Sequence, residues 1–418
     1  MNKLLLFFAL YLPFQLALNP MEGVDLASIR VLTLGLFFVW LAKGAKDKKI
    51  IIKNNLQTWL IGSFLFLNAF SIVAARNPDW SARKLLFLFS IFPIYFVASR
   101  LIDNEEKMEK MIKALLWSGA GAAMIGIAQF LMQFIFGLDR TYEIWANYAI
   151  VPFLGNTFSE AVLANPSWLV NISGKTYLRA TSIFPDPHML SFYLGLLIPL
   201  ALGMFIAKKN KLFFGAAFLI LLAADLLTFS RGGYLGLFAG VLVLLIMLWH
   251  KLEKRHKFAV FVMAGFMIAA FAIPSPVSQR LSSGFDPKEG SNAGRLAIWR
   301  QAVEVVKEHP LSGVGIGNFP LAIKSTAGYR EPIYAHNTYL DIIVETGLLN
   351  GFVWVSILFL AVLEFWKRKR NIIFFMAGVS LVIFSAHSMV ETAIYSPTVL
   401  TLLLIILSFA NIKDEKAA

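Results

Sequence analysis

LFFGAAFLILLAADLLTFSRGGYLGLFAGVLVLLIMLWH, residues 212–250, decides the architecture. It holds two apolar runs, 212–230 and 233–250, each close to the ~20 residues that cross a hydrocarbon core, joined by a minimal turn around Arg231. Runs of this kind recur outward in both directions. Read in order they predict about twelve helices, at 3–19, 26–43, 57–75, 84–102, 111–136, 189–207, 212–230, 233–250, 258–274, 337–365, 372–392 and 397–412. The expected fold is all-α, a polytopic membrane protein with residues 1–418 as a single transmembrane domain and no room for a separate soluble one. The first run sits behind Lys3 with no small-residue cleavage site after it, so it reads as an uncleaved helix and not as a signal peptide.

Composition agrees. The 418 residues are 58% hydrophobic and only 15% charged, against roughly 25% charged in a soluble domain. The sequence has no cysteine, which excludes disulfides, thiolate metal sites and cysteine nucleophiles. The net charge of +13 does not predict a nucleic-acid partner, because the basic residues lie between apolar runs and not beside stacking aromatics on one surface.

Alternate connectors carry the positive charge: Lys43–Lys53, Arg100–Lys113, Lys208–Lys211, Lys251–Lys257 and Lys367-Arg368-Lys369-Arg370. By the positive-inside rule these face the cytoplasm together with both termini. The opposite connectors then face outward, and two of them, 137–188 and 275–336, are long enough to expect function there. In the second, Ile298-Trp299, Ala302-Val303 and Val305-Val306 form a helical apolar stripe that ends at Pro310 and the Gly313, Gly315, Gly317 series. In the first, Tyr142 to Val170, with Trp145 and Trp168, has the aromatic content of an interfacial layer in contact with membrane lipids.

The candidate chemistry lies at the outward ends. Arg231 stands where the positive-inside rule predicts no arginine; it either meets a counter-charge in a polar cavity or snorkels to the headgroups. Gly232 and Gly233 beside it let backbone N–H groups approach an anion. Arg295 and Arg300 open the amphipathic stretch, where a helix N-terminus and a bidentate guanidinium both suit phosphate. His336-Asn337 closes the loop, and Asn337, Asp341 and Glu345 then repeat at i, i+4 and i+8 on one helix face. Carboxylates there need partners, and the loop arginines are the expected ones. His336 has the unperturbed pKa of a proton carrier near neutrality. His387 and Glu391, four apart, either pair with each other or join the same cavity. The rigid Pro185-Asp186-Pro187-His188 either brings Arg179 or His188 to that mouth or is a structural turn only. His336, His387, Glu345 and Glu391 lack the dense spacing of a zinc site, so no metal is expected.

Phe229-Ser230-Arg231-Gly232-Gly233, then Gly294-Arg295 with Trp299, then His309-Pro310-Leu311-Ser312-Gly313-Val314-Gly315 with Asn318-Phe319, then His336-Asn337 with Leu340, Glu345, Gly347 and Gly351, resemble the O-antigen ligase and O-antigen polymerase superfamily along the last half of the chain. Arg179 to Pro187 resembles a looser pattern of the same family. The resemblance implies a GT-C-type glycosyltransferase of the bacterial inner membrane that acts at the periplasmic face without cofactor, metal or nucleotide sugar. It implies a glycan donor on undecaprenyl pyrophosphate, with a lipid A-core hydroxyl as acceptor in a ligase and a second lipid-linked repeat in a polymerase. It further implies that Arg231, Arg295 and Arg179 hold the pyrophosphate and that His336 activates the acceptor hydroxyl. Glu345 and Asn337 would orient His336 or pair an arginine, with Arg300 and His387 in support.

The ligase is the expected member and the polymerase its alternative. A polysaccharide transporter or flippase would gather its charges near the membrane midplane, whereas here they gather at the mouth. The lack of a large domain after the last span sets the expectation apart from protein-directed oligosaccharyltransferases.

Overall fold

The computed structural model describes residues 1–21, 24–164, 167–172, 174–209, 211–248, 290–329, 331 and 333–412, with isolated positions between 249 and 289. The helices that frame the functional end are α1 (Asn2–Tyr11), α2 (Ser28–Lys46), α3 (Leu56–Phe70), α4 (Pro78–Ile91), α5 (Pro93–Leu101), α6 (Glu105–Phe136), α7 (Leu138–Ile144), α8 (Val151–Leu154), α9 (Asn156–Ala164), α10 (Pro187–Ala207), α11 (Lys211–Leu227) and α12 (Arg231–Leu248). Beyond the 249–289 region follow α13 (Gly290–Glu308), α14 (Phe319–Ile323), α15 (Thr338–Thr346), α16 (Leu348–Lys367), α17 (Ile372–His387) and α18 (Pro397–Ser408). Their starts are specified locally. Asn55, Asn77, Asn104, Asp186, Asn337 and Asn371 each accept a backbone N–H of the first turn, and Pro78, Pro93, Pro187 and Pro397 occupy first-turn positions where no N–H is needed.

The helical, membrane-spanning architecture is seen; the count of twelve even spans is not. Among the described residues six helical stretches are long and apolar enough to cross a membrane: Ser28–Lys46, Leu56–Ala74, Pro78–Leu101, Glu105–Phe136, Pro187–Ala207 and Leu348–Lys367. Asn2–Phe14, Arg231–Ile246, Ile372–His387 and Pro397–Asn411 are apolar but shorter. The expected span 84–102 starts earlier, at Pro78, and is interrupted at Phe92 because Pro93 has no N–H to give. The expected span 337–365 is two helices, α15 and α16, that meet at Gly347 with φ +87°. The Asn337, Asp341 and Glu345 face therefore belongs to a short helix ahead of the span. The ninth expected span, 258–274, and the connector Lys251–Lys257 fall, isolated positions apart, outside the described residues.

The chain is also not purely α. Ala17–Met21 pairs antiparallel with Val24–Ala27, and Leu169–Ile172 with Lys175–Leu178 around Gly174 at φ +81°. The loop 137–188 is thus folded, with α7 to α9 and the second hairpin packed around Trp168, Ile150, Leu154 and Leu178.

α10 is the central helix. It is apolar on every side, as a helix with no solvent face must be, and it packs on α6, α11, α12, α17 and α18. At one end of the bundle the starts of α2 and α4 meet the starts of α10, α12 and α18 around a large cavity. At the other end Lys3, Lys43, Lys49, Arg100 and Lys107 line a smaller cleft. Arg30 and Lys43 lie near opposite ends of the 19-residue α2, so the basic connectors and the cavity stand roughly 20 Å apart.

Candidate functional site

The large cavity has a volume of about 1000 Å³. Its lining brings together Arg179, Arg231, Arg295, His336 and Glu345, five of the side chains singled out in the sequence, from four separate stretches of chain. Glu391 and His188, which the sequence offered as possible members, line it too, and it adds Arg30, Arg83, Lys84 and Asp186.

Glu391 is the hub. Its Oε1 accepts from His336 Nδ1 at 2.7 Å, its Oε2 faces Arg295 Nη2 at 3.3 Å, and His188 Nε2 stands 3.8 Å from Oε2. Burial alone would raise the Glu391 carboxyl, but His336, His188, the His336 hydrogen bond and Arg295 together hold it well below the usual carboxylate range. It is therefore an acceptor only, so His336 donates from Nδ1 and keeps the Nε2 lone pair for the cavity. Burial pulls His336 down, yet the charge and hydrogen bond of Glu391 outweigh it and leave the imidazole above its ordinary value.

The backbone aims His336 at this partner. His336 has φ +48°, a left-handed conformation that costs a non-glycine residue of order 1 kcal/mol and persists where surrounding contacts impose it. Those contacts are present on both sides. Trp299 Nε1 donates to Ala335 O at 2.6 Å, Ala335 N donates to Asp341 Oδ1 at 2.7 Å, Thr338 N donates to Ser388 O at 2.9 Å, and Thr338 Oγ1 donates to Glu391 O at 3.0 Å. Trp299 lies one turn beyond Arg295 on α13, so one helix face carries the arginine and pins the histidine loop. Phe229 at φ +49° and Ser182 at φ +53° show the same left-handed geometry in the segments that lead to Arg231 and Asp186.

Several expected pairings are different in the structure. Glu345 does not meet a loop arginine or His336. Both its oxygens accept from Lys84 Nζ, at 2.7 and 2.8 Å, and Tyr395 OH donates to it at 2.9 Å. Asp341 is held by Ala335 N and the Thr392 hydroxyl. Asn337 spends its side-chain oxygen on Tyr339 N and Leu340 N, 3.1 Å each, as the cap of α15. His387 does not pair with Glu391 and does not line the cavity. It is buried, stacks on Phe192 at 3.5 Å between ring centroids, and reaches Ser230 Oγ at 3.4 Å, while Ser230 Oγ meets His188 Nδ1 at 2.9 Å. Arg300 is exposed on α13, away from the lining. Arg179 lines the cavity, but its Nε donates to Thr228 O at 2.7 Å and its Nη1 to Ser167 O at 2.8 Å, tying two loops together.

Lys84 was missed because it reads as an ordinary basic residue at the edge of an apolar run. Glu391 was seen beside His387, but an i, i+4 spacing says nothing of a partner 55 residues away. Asp186 caps α10 through bonds to His188 N and Met189 N, 2.8 and 2.9 Å, and burial pushes its carboxyl up to about 6. Among the described residues no three His, Asp or Glu groups are arranged to hold a metal ion.

Residues 216–355 match the O-antigen ligase family, so Arg231, Arg295, His336 and Glu345 lie inside the match. Lys84, Arg179, Asp186, His188 and Glu391 lie outside it. Over 379 residues the chain is 23% identical to a ComP-specific O-oligosaccharyltransferase of Acinetobacter baylyi, which covers 86% of this chain and 62% of that one. Over 366 residues it is 24% identical to the exopolysaccharide production protein ExoQ of Rhizobium meliloti, covering 81% of this chain and 72% of that one. The resemblance read in the sequence is thus shared by these comparisons: residues 216–355 are similar to the O-antigen ligase family, and the chain is similar to an O-oligosaccharyltransferase and to an exopolysaccharide production protein.

Proposed function

We propose that this protein transfers a glycan from undecaprenyl pyrophosphate to a hydroxyl of a lipid A-core acceptor, at the periplasmic face of the bacterial inner membrane. The observation that carries the reading is the convergence of Arg231, Arg295 and the His336–Glu391 pair on one cavity, with Arg231, Arg295 and His336 inside the stretch similar to the O-antigen ligase family. Arg231 and Arg295 hold the pyrophosphate. The field of Arg179, whose donors mostly serve backbone carbonyls, adds to theirs.

The chemistry is one displacement. The acceptor oxygen attacks the anomeric carbon, its proton passes to His336 Nε2, and the carbon–oxygen bond to the pyrophosphate breaks with the electron pair left on the phosphate oxygen. Arginines fixed in place beforehand stabilise that charge as it develops, where other enzymes use a metal ion. One displacement inverts the anomeric centre. Glu391 holds His336 in the Nδ1–H tautomer and stabilises the imidazolium that forms, the role a carboxylate plays in a Ser-His-Asp triad. Both termini then lie in the cytoplasm, with the basic connectors.

The test is transfer by purified protein from an undecaprenyl-pyrophosphate glycan to a lipid A-core acceptor in the presence of a chelator. Inverted product, insensitive to the chelator, is expected. No transfer, or retained stereochemistry, would contradict the reading. The relation to an exopolysaccharide production protein favours a second reading, a polymerase whose acceptor is another lipid-linked repeat. A lipopolysaccharide gel from a deletion strain separates the two: no O-antigen attachment marks a ligase, and a core with a single repeat marks a polymerase.

A further inference from the structure

The wall of the cavity formed by α2 and α4 carries two arginines that the transfer step above does not use. Arg30, two residues into α2, donates from Nε to Ser90 Oγ at 2.8 Å, and its guanidinium carbon lies 5.4 Å from the Phe87 ring centroid. Both of its Nη groups have no hydrogen bond, and among the described residues no carboxylate pairs with it. Arg83, one turn before Phe87 on α4, lies over the face of Tyr329, 4.8 Å from its centroid, and among the described residues no carboxylate pairs with it either. For the partly buried Arg30 a position at the margin of a span is costly without a counter-charge, and Arg83 lines the same wall from its exposed rim. Two arginines on one cavity wall without a counter-charge mark a place for an anion. Trp80, one turn before Lys84, packs edge-on against Tyr329 with centroids 5.4 Å apart and lines the same wall. Flat aromatic rings of this kind receive the C–H face of a pyranose.

We propose that Arg30, Arg83, Trp80 and Tyr329 form a second anionic-sugar subsite that binds the acceptor through a carboxylate or phosphate on one of its sugars. The assignment to the acceptor rests on the function proposed above, in which Arg231 and Arg295 are already engaged by the donor. The subsite itself does not: an acidic sugar would bind there in any protein with this wall.

The experiment uses the full chain in nanodiscs of zwitterionic lipid, with glucose 1-phosphate and methyl glucuronide as probes, methyl glucoside as their neutral counterpart, and saturation-transfer NMR as readout. Both anionic probes should bind and the glucoside should not. Arg30→Gln and Arg83→Gln should each weaken binding about 10- to 100-fold, the loss of one charge-assisted contact, and Lys307→Gln, exposed on α13 away from the cavity lining, should leave it within about 2-fold. Arg83 is exposed, so its variant tests the subsite even if the Arg30 variant does not fold.

Loss of binding in Arg231→Gln alone would move the probes to the pyrophosphate site. Equal binding of the glucoside would remove acid recognition. Competition by added phosphatidylglycerol would assign the arginines to a lipid headgroup. If the probes bind as expected but purified protein transfers no glycan, the subsite stands and the transferase reading fails. With active protein, the acceptor KM should rise in both variants while the donor KM and kcat hold. A parallel rise in donor KM would overturn the acceptor assignment.

Discussion

Replacing Glu391 by Gln keeps the shape of the hub and removes its charge, so it isolates what the carboxylate does to His336. The wild-type pair is joined by a 2.7 Å hydrogen bond from Nδ1 to Oε1 inside the protein. A hydrogen bond to a charged group is worth about 1.5–3 kcal/mol, and one pKa unit corresponds to about 1.36 kcal/mol. The substitution removes the charged part of that contact and should therefore lower the His336 pKa. Burial and Arg295, both of which depress the imidazole, then act against the smaller support of Asp341 alone.

The sign is specific. In the wild type, transfer should rise with pH through a raised His336 pKa and level off above it, because only the neutral ring accepts a proton. In Glu391→Gln the acid limb should move to lower pH, while the plateau drops because the tautomer is no longer held. Arg295→Gln should move the His336 pKa the other way, upward, since Arg295 depresses it. The assay is the pH dependence of transfer beside an NMR titration of the His336 ring in the same detergent. An unmoved acid limb in Glu391→Gln, with a protein that elutes as the wild type does, would refute the coupling.

Further outcomes follow from the same geometry. Arg231→Lys and Arg295→Lys should lose most transfer while the protein still folds, because a point charge lacks the bidentate fit to phosphate; full rates in both would reduce them to topology or packing. Lys84→Met leaves the buried Glu345 carboxylate with only Tyr395, and thermal unfolding should show a loss of about 3–5 kcal/mol, largely recovered in Lys84→Met/Glu345→Gln. Gly347→Ala puts a Cβ against the Leu311 carbonyl at φ +87°; the α15–α16 joint cannot keep its form, and transfer and melting temperature should fall together. Alkaline phosphatase fused near Ser291 should be active and near Lys209 inactive, and the reverse would overturn the proposed orientation.

Helices and charge bias were legible because lipid imposes them on composition: the run 187–207 needs no partner to be read as buried. The breaks inside runs were less legible. Pro93 and Gly347 are single residues whose effect depends on whether the neighbouring turn can spare a bond, and two runs that looked continuous are interrupted there. For the site, arginines in outward turns and a histidine at a loop end stood out because each contradicts a local rule. Their partners did not. Glu391 and Lys84 obey local expectation, and only the meeting of α4, α15 and the turn after α17 makes them ligands of His336 and Glu345. Asn337 and His387 looked chemical and are a helix cap and a packed ring, because a polar residue at a helix end satisfies backbone N–H groups as readily as substrates.

The central claim is that His336 takes the acceptor proton while the arginines hold the donor. It is tested most directly by measuring transfer rate and donor affinity for His336→Ala on one preparation. General-base catalysis is worth about 10²–10⁴ in rate. A loss of that order is expected, with donor Kd within about 2-fold of wild type. Near-normal transfer, or a donor affinity that falls in step with the rate, would contradict it.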